Sequence, residues 1–126
     1  MAEYKSSLIL NRIVFDKIIF ERSGFKNDEK FNFELEVYIG EKTNNEYRVT
    51  LILNGKKENE YTVNISLSGF FRIDMGEEKE ISEKLINKNA VAILMPYLRS
   101  ELTLLTAQPG TDSVVLQPFN VSKMMD

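Results

Sequence analysis

The sequence predicts an α+β domain: a four-stranded antiparallel sheet, then a crossover and a long helix packed on one sheet face. Three observations carry this reading. Apolar-rich, extended-looking runs occur four times before residue 72, separated by short turn-like clusters. One later stretch places its apolar residues at helical spacing instead. The strands come first and the helix after them, with no βαβ alternation, which points to an antiparallel sheet with helices on one side. With 126 residues there is room for one domain with a real core, so residues 1–126 are read as a single unit.

The first strand is the run "LILNRIVFDKIIFE", residues 8–21, in which both alternating sets are largely apolar, so both faces read as partly covered. After the breakers Gly24, Asn27 and Asp28, "FNFELEVYIG" alternates cleanly. Phe31, Phe33, Leu35, Val37 and Ile39 share one face. "YRVTLILNG" is the third strand, with Asn54-Gly55 as a turn signal, the charged "KKENE" after it suggesting a loop longer than two residues, and Lys56-Lys57 as a charged hairpin tip. "YTVNISLSGFF" is the fourth, interrupted at Gly69 by a bulge or a close backbone approach. A polar crossover, "RIDMGEEKE", leads to a short helix in "ISEKLINKNA", with Ile81, Leu85 and Ile86 on one side, and then to the main helix, about Ala90–Ala107. Val91, Leu94, Met95, Leu98, Leu102 and Leu105 make its apolar stripe. Arg99, Ser100, Thr103 and Thr106 form its wet side. Gln108-Pro109-Gly110 stops it, and the tail is extended around Val114–Leu116. Pro96 sits inside this helix, where proline costs about 3 kcal/mol. It reads either as a kink that lets the helix follow a twisted sheet or as the first turn of a helix that starts there.

Composition excludes several chemistries. With no histidine and no cysteine, a Ser-His-Asp triad, a cysteine nucleophile and a Cys/His zinc site are all ruled out. The six glycines are single and scattered, so no phosphate-cradling loop is present. "GEEKE", Gly76–Glu80, is the densest acidic run, and adjacent acids in a polar loop read as solvated charge rather than a catalytic pair. A net charge of −3 argues against nucleic-acid binding. No apolar run approaches the roughly 20 residues of a membrane span, and the N-terminus lacks a secretory pattern. The expectation is a cytoplasmic non-enzyme without metal or cofactor, nucleic-acid binding or membrane insertion. The apolar excess on the first strand and the main helix points to a second subunit or a client that covers it.

The residues then reach a family resemblance. "AILMPYLRSEL" followed by "VVLQPFNV" resembles the signature of the SecB family of export chaperones: a helix bearing Pro-Tyr-x-Arg, then Leu-x-Pro-x-Asn-hydrophobic. The matching positions are Pro96, Tyr97 and Arg99, then Leu116, Pro118, Asn120 and Val121. "DKIIFE" (Asp16–Glu21) and Ser68-Gly69-Phe70-Phe71 resemble family positions too, and the likeness runs from about Leu8 to Met125.

This resemblance implies an ATP-independent holding chaperone, a homotetramer built as a dimer of dimers or a dimer, that keeps unfolded polypeptides extended in apolar grooves. Eight phenylalanines, five tyrosines and five methionines suit adaptable apolar contact. Groove candidates are Phe15, Phe31, Phe70, Phe71, Met95, Phe119, Met124 and Met125; candidates for the subunit interface are Ile13, Ile19, Val91, Tyr97, Leu98 and Leu102. Glu21 is the candidate for docking the translocase motor. Lys17 and Asn64 stand where the family often has acids, which leaves open a chaperone dedicated to one client such as an antitoxin, or a structural relative without motor docking.

Overall fold

The computed structural model describes residues 7–40, 43–74 and 83–118. It contains four strands, β1 (Ser7–Arg22), β2 (Phe31–Ile39), β3 (Tyr47–Lys57) and β4 (Tyr61–Asp74), and one helix, α1 (Glu83–Thr106). All neighbouring strands are antiparallel, in the order β1-β4-β3-β2. Strands β2, β3 and β4 form a meander, and β1 closes the sheet on the far side of β4.

The alternation dictates which face is dry. Val49, Leu51 and Leu53 of β3 and Val63, Ile65, Leu67 and Phe71 of β4 point inward and are buried. Ala90, Val91, Leu94, Met95, Leu98 and Leu102 of α1 complete the core. The helix packs on β4, β3 and β1. Close approach is built into β4 at Gly69: a Cβ there would stand 2.6 Å from Leu94 Cδ2. Of the two readings of Gly69, close approach is the correct one, because its pairings with Ile13 and Val49 are in register.

The bulges lie in β1 instead, between Leu10 and Arg12 and between Phe15 and Lys17. They revise the reading of the first strand. Each bulge inserts one residue and flips the parity of the residues after it. Leu8 and Leu10, then Ile13 and Phe15, then Phe20 all pack against the core, although their spacing breaks twice. The run looks apolar on both faces because a single inner face changes phase twice. The inserted residues are polar and reach β3 and the turn before it. Asn11 Nδ2 donates to Glu46 Oε2 (2.9 Å), and Asp16 Oδ1 accepts from Arg48 Nη2 (2.9 Å).

Turn chemistry differs from expectation at one hairpin. Between β2 and β3, Asn44 and Asn45 sit at φ 52° and 64°, between Thr43 and Glu46, which exchange backbone bonds of 2.8 and 2.9 Å. Two left-handed residues in a two-residue connection match the twist of a hairpin. The Asn54-Gly55 pair, by contrast, is no turn. Strand β3 continues through it to Lys57, because Gly55 faces the ring of Phe31, whose Cζ would lie 2.4 Å from an added Cβ. The reversal falls at residues 58–60, with Asn59 at φ 60°.

The helix is one element rather than two, and Pro96 lies well inside it. The reading of Pro96 as a helix start is therefore incorrect. Ala92 and Pro96 are both exposed, so the hydrogen bond that proline removes is on the solvent side. There water replaces the missing donor, and loss of a solvent-side bond favours curvature around the sheet. Thr106, expected to be wet, is fully buried; its hydroxyl donates to Leu102 O (2.8 Å). After the stop at Gly110, residues 111–118 turn back along α1 without regular secondary structure, with Val114 and Leu116 against the core. The acidic run Gly76–Glu80 and the end of the tail lie outside the described residues.

Candidate functional site

The inner face of β2 is where core construction stops short. Phe31, Phe33, Leu35 and Val37 point to the helix side and pack against the core, yet all four are only half-buried. β2 is an edge strand, and the helix packs mainly over the other three strands. At one end of this row the aromatic rings are stacked. Phe31 lies 6.0 Å from Phe33 and 6.1 Å from Tyr61, and Tyr61 lies 4.7 Å from Phe20. The outer face of the same strand is polar, with Asn32, Glu34, Glu36 and Tyr38 exposed. The result is an apolar ledge along an edge strand of the sheet, on the side of the molecule that carries the helix.

An ionic cluster holds the base of this ledge. Glu60 is fully buried; its Oε1 takes Lys57 Nζ at 2.9 Å and the Asn27 backbone N–H at 3.0 Å, and Arg22 Nη1 stands 3.9 Å from Oε2. Burial by itself pushes the Glu60 carboxyl up, but the Lys57 and Asn27 hydrogen bonds and the nearby cations outweigh it and hold it below its ordinary value. The backbone carbonyl of Glu60 also accepts from Ser23 and Gly24. One residue thus fastens the end of β1, the β1–β2 connection and the β3–β4 turn. Lys57 is no part of a solvated hairpin tip. Its alternation parity places it inward, and only Glu60 makes that tolerable. Tyr61, next along the chain, has its phenol raised to about 12, first by burial and then by the Glu60 charge.

The outer face of the sheet is built differently. Arg48 ties Asp16 to Ser68, and its guanidinium lies 5.5 Å from the Phe70 ring centroid; that of Arg12 lies at 4.0 Å. Further along, Ile19, Thr62, Asn64, Asn54, Lys56 and Glu34 line a concavity of about 500 Å3. Asn64 Nδ2 donates to Asn54 Oδ1 across it. Glu21 pairs with Thr62 in register and is exposed beside this concavity, and Lys17 is opposite Ser66.

The candidates named from sequence divide cleanly by position. Phe31 belongs to the ledge. Phe15 is half-buried on the inner face of β1, and Phe70 is on the outer face under the two arginines. Phe71 and Met95 are buried in the core, as are Val91, Leu98 and Leu102 from the interface set. Ile13 also packs inward. Ile19 and Tyr97 are exposed, at 41% and 45%, together with Val14, Ile18 and Leu104, which sequence reasoning did not single out. Phe119, Met124 and Met125 lie outside the described residues. Phe33, Leu35 and Val37 of the ledge were missed as site residues, although the clean alternation of β2 marks them. Among the described residues, no three acidic side chains converge to hold a metal ion, and no helix is long and apolar enough to cross a membrane.

An uncharacterized protein of Methanocaldococcus jannaschii is 29% identical over 109 residues, which cover 79% of this chain and 70% of that one. A SecB-like chaperone of Mycobacterium tuberculosis, in complex with a ChAD peptide from the HigA1 antitoxin, shares the fold at a TM-score of 0.74 and 14% identity; the match covers 89% of this chain and 90% of the other. A protein of unknown function from Streptococcus agalactiae matches at a TM-score of 0.56 and 15% identity, over 89% and 98% of the two chains. The profile of the family described as preprotein translocase subunit SecB matches residues 8–126. The chain, with its sheet, its helix and the segment after the helix, belongs to the SecB family.

Proposed function

We propose that this protein is an ATP-independent holding chaperone of the cytoplasm that binds unfolded polypeptide along the inner face of β2. The observation that carries this reading is the half-buried row Phe31, Phe33, Leu35 and Val37 on an edge strand of the sheet. Apolar rings and aliphatic side chains take up client side chains without demanding a sequence. The strand edge adds main-chain hydrogen bonds that every polypeptide can make. Family membership supports the same role. A second copy of the chain covers the exposed apolar groups elsewhere, Val14 and Ile19 of β1 and Tyr97 and Leu104 of α1, in a dimer or a dimer of dimers.

A narrower reading, a chaperone dedicated to one client such as an antitoxin, is favoured by the outer face. Asn64 lines the concavity there, Lys17 lies opposite Ser66 on the same face, and Glu21 is the one acid that the family resemblance assigns to motor docking. The similar Mycobacterium tuberculosis chaperone, bound to an antitoxin peptide, supports it as well. Light scattering decides between the two. An unfolded, reduced model protein is diluted into buffer with and without a stoichiometric amount of the chaperone, in the absence of ATP. Strong suppression of scattering is the expected result. Full aggregation overturns general holding and leaves the dedicated client as the function to pursue.

A further inference from the structure

Beyond the β2 ledge, the segment after the helix is itself held in the way an extended peptide would be. Thr103 Oγ1 donates to the Val114 carbonyl (2.8 Å), and the Val114 N–H donates to Thr106 Oγ1 (2.7 Å). Both backbone groups of one residue are thus satisfied by helix side chains, a mode of contact blind to side-chain identity. The segment alternates: Val114 and Leu116 pack inward, whereas Val115 is 67% exposed and Gln117 faces water.

Two further facts separate a replaceable occupant from a structural brace. The tethers beside Val114 are surface contacts, Arg22 to the Thr111 hydroxyl and Lys26 to Asp112 (2.9 Å), and both members of the ion pair are more than half exposed. Such contacts are weak. The seat also survives being emptied. Thr103 Oγ1 has a second acceptor in Arg99 O (3.1 Å), and Thr106 Oγ1 keeps its bond to Leu102 O (2.8 Å). Neither hydroxyl is left without a partner when Val114 departs, so vacating the site leaves no buried polar group unpaired.

We propose that the seat on α1 at Thr103 and Thr106, occupied by residues 111–118 through Val114, is a second peptide-binding site, and that this segment is its resident occupant. Its ligand is an extended polypeptide with apolar residues at alternate positions, which displaces the segment and takes over the Thr103 and Thr106 bonds. The proposal deepens the holding-chaperone reading and rests on it. The tether gives the resident segment an effective concentration on the order of millimolar, so it competes with any client.

The test uses the full chain and three proteins: wild type, Thr111→Ala/Asp112→Asn, and Val114→Asp/Leu116→Asp. The probe is a fluorescein-labelled synthetic peptide with the sequence of residues 111–118, followed by anisotropy, with an unfolded, reduced model protein as competitor. The expected result is probe binding about threefold tighter to the first variant and more than tenfold tighter to the second, relative to wild type. A probe carrying aspartate at the positions of Val114 and Leu116 does not bind, and the unfolded protein displaces the normal probe. Equal probe binding by all three folded proteins, or none, overturns the proposal. Unfolded protein that is held by all three but leaves the probe in place overturns it while the ledge reading stands. If none of the three holds unfolded protein, the chaperone reading falls and takes this proposal with it. Should the second variant not fold, the first, which changes no apolar group, carries the test.

Discussion

The two edge strands of the sheet differ in how their apolar residues are placed, and the difference separates two kinds of surface. β2 is short and strictly alternating: its apolar residues all face the helix side, where they are incompletely covered. β1 is longer, shifts phase at two bulges, and leaves Val14 and Ile19 on the polar face, opposite Ser68 and Asn64. An apolar row on the core side of an edge is a ledge that a flexible chain can enter. Apolar residues scattered along a long, bulged edge suit a rigid partner with its own fixed shape, such as a second copy.

Glu60 fastens the end of β1 and the connection that leads to β2, so its removal gives the largest expected effect. Glu60→Gln leaves Lys57 buried without its counter-charge and lowers stability by about 3 kcal/mol. A thermal or denaturant melt measures this, and an unchanged midpoint would show that the cluster does not hold the sheet end together. Next come the edges themselves. Phe33→Asp is expected to weaken binding of unfolded protein more than tenfold, about 1.4 kcal/mol or more, while leaving the native mass of the assembly unchanged. Ile19→Asp is expected to do the opposite, shifting native mass toward the single 14.6 kDa chain while the ledge still binds. If both variants lose client and assembly together, the division of labour between the edges is wrong.

The smallest effect is a pH dependence. The Glu60 carboxyl is held below its ordinary value of 4.5, so its contribution to stability is complete above 4.5 and is lost as pH falls through the lower, folded-state value. Melts from neutral pH down to well below 4.5 should therefore show a steeper loss for wild type than for Glu60→Gln. Parallel curves would remove Glu60 as the titrating group.

Most of the sheet was legible because β2, β3 and β4 alternate without interruption, and a single buried face imposes that pattern on the residues. The features that escaped had specific causes. The bulges of β1 are invisible where both parities are apolar, since Asn11 and Asp16 alone mark the phase changes. Asn54-Gly55 carries a turn signature, but its glycine serves a ring from the neighbouring strand, a contact no local pattern encodes. Lys57 and Glu60 are charged and look solvated, and only the pairing of one with the other puts them inside. For the site, the clean inward face of β2 was readable, whereas Phe71 and Met95 are indistinguishable by type from ledge residues until the helix is laid over β4. The peptide-like seat of Val114 depends on two threonines that read as solvent-facing.

The placement of Pro96 has a mechanical consequence. A helix held by an unbroken ladder transmits torque along its whole length. Here the rung between Ala92 and residue 96 is missing on the outer side, while Leu94, Met95 and Leu98 remain clamped to the sheet beneath. The joint is therefore compliant in the sense that opens its outer side, so that the helix ends bend toward the sheet. The C-terminal half, which carries Leu98 and Leu102 as well as Thr103 and Thr106, can therefore follow the twist of the sheet without straining the backbone ladder of the half before it.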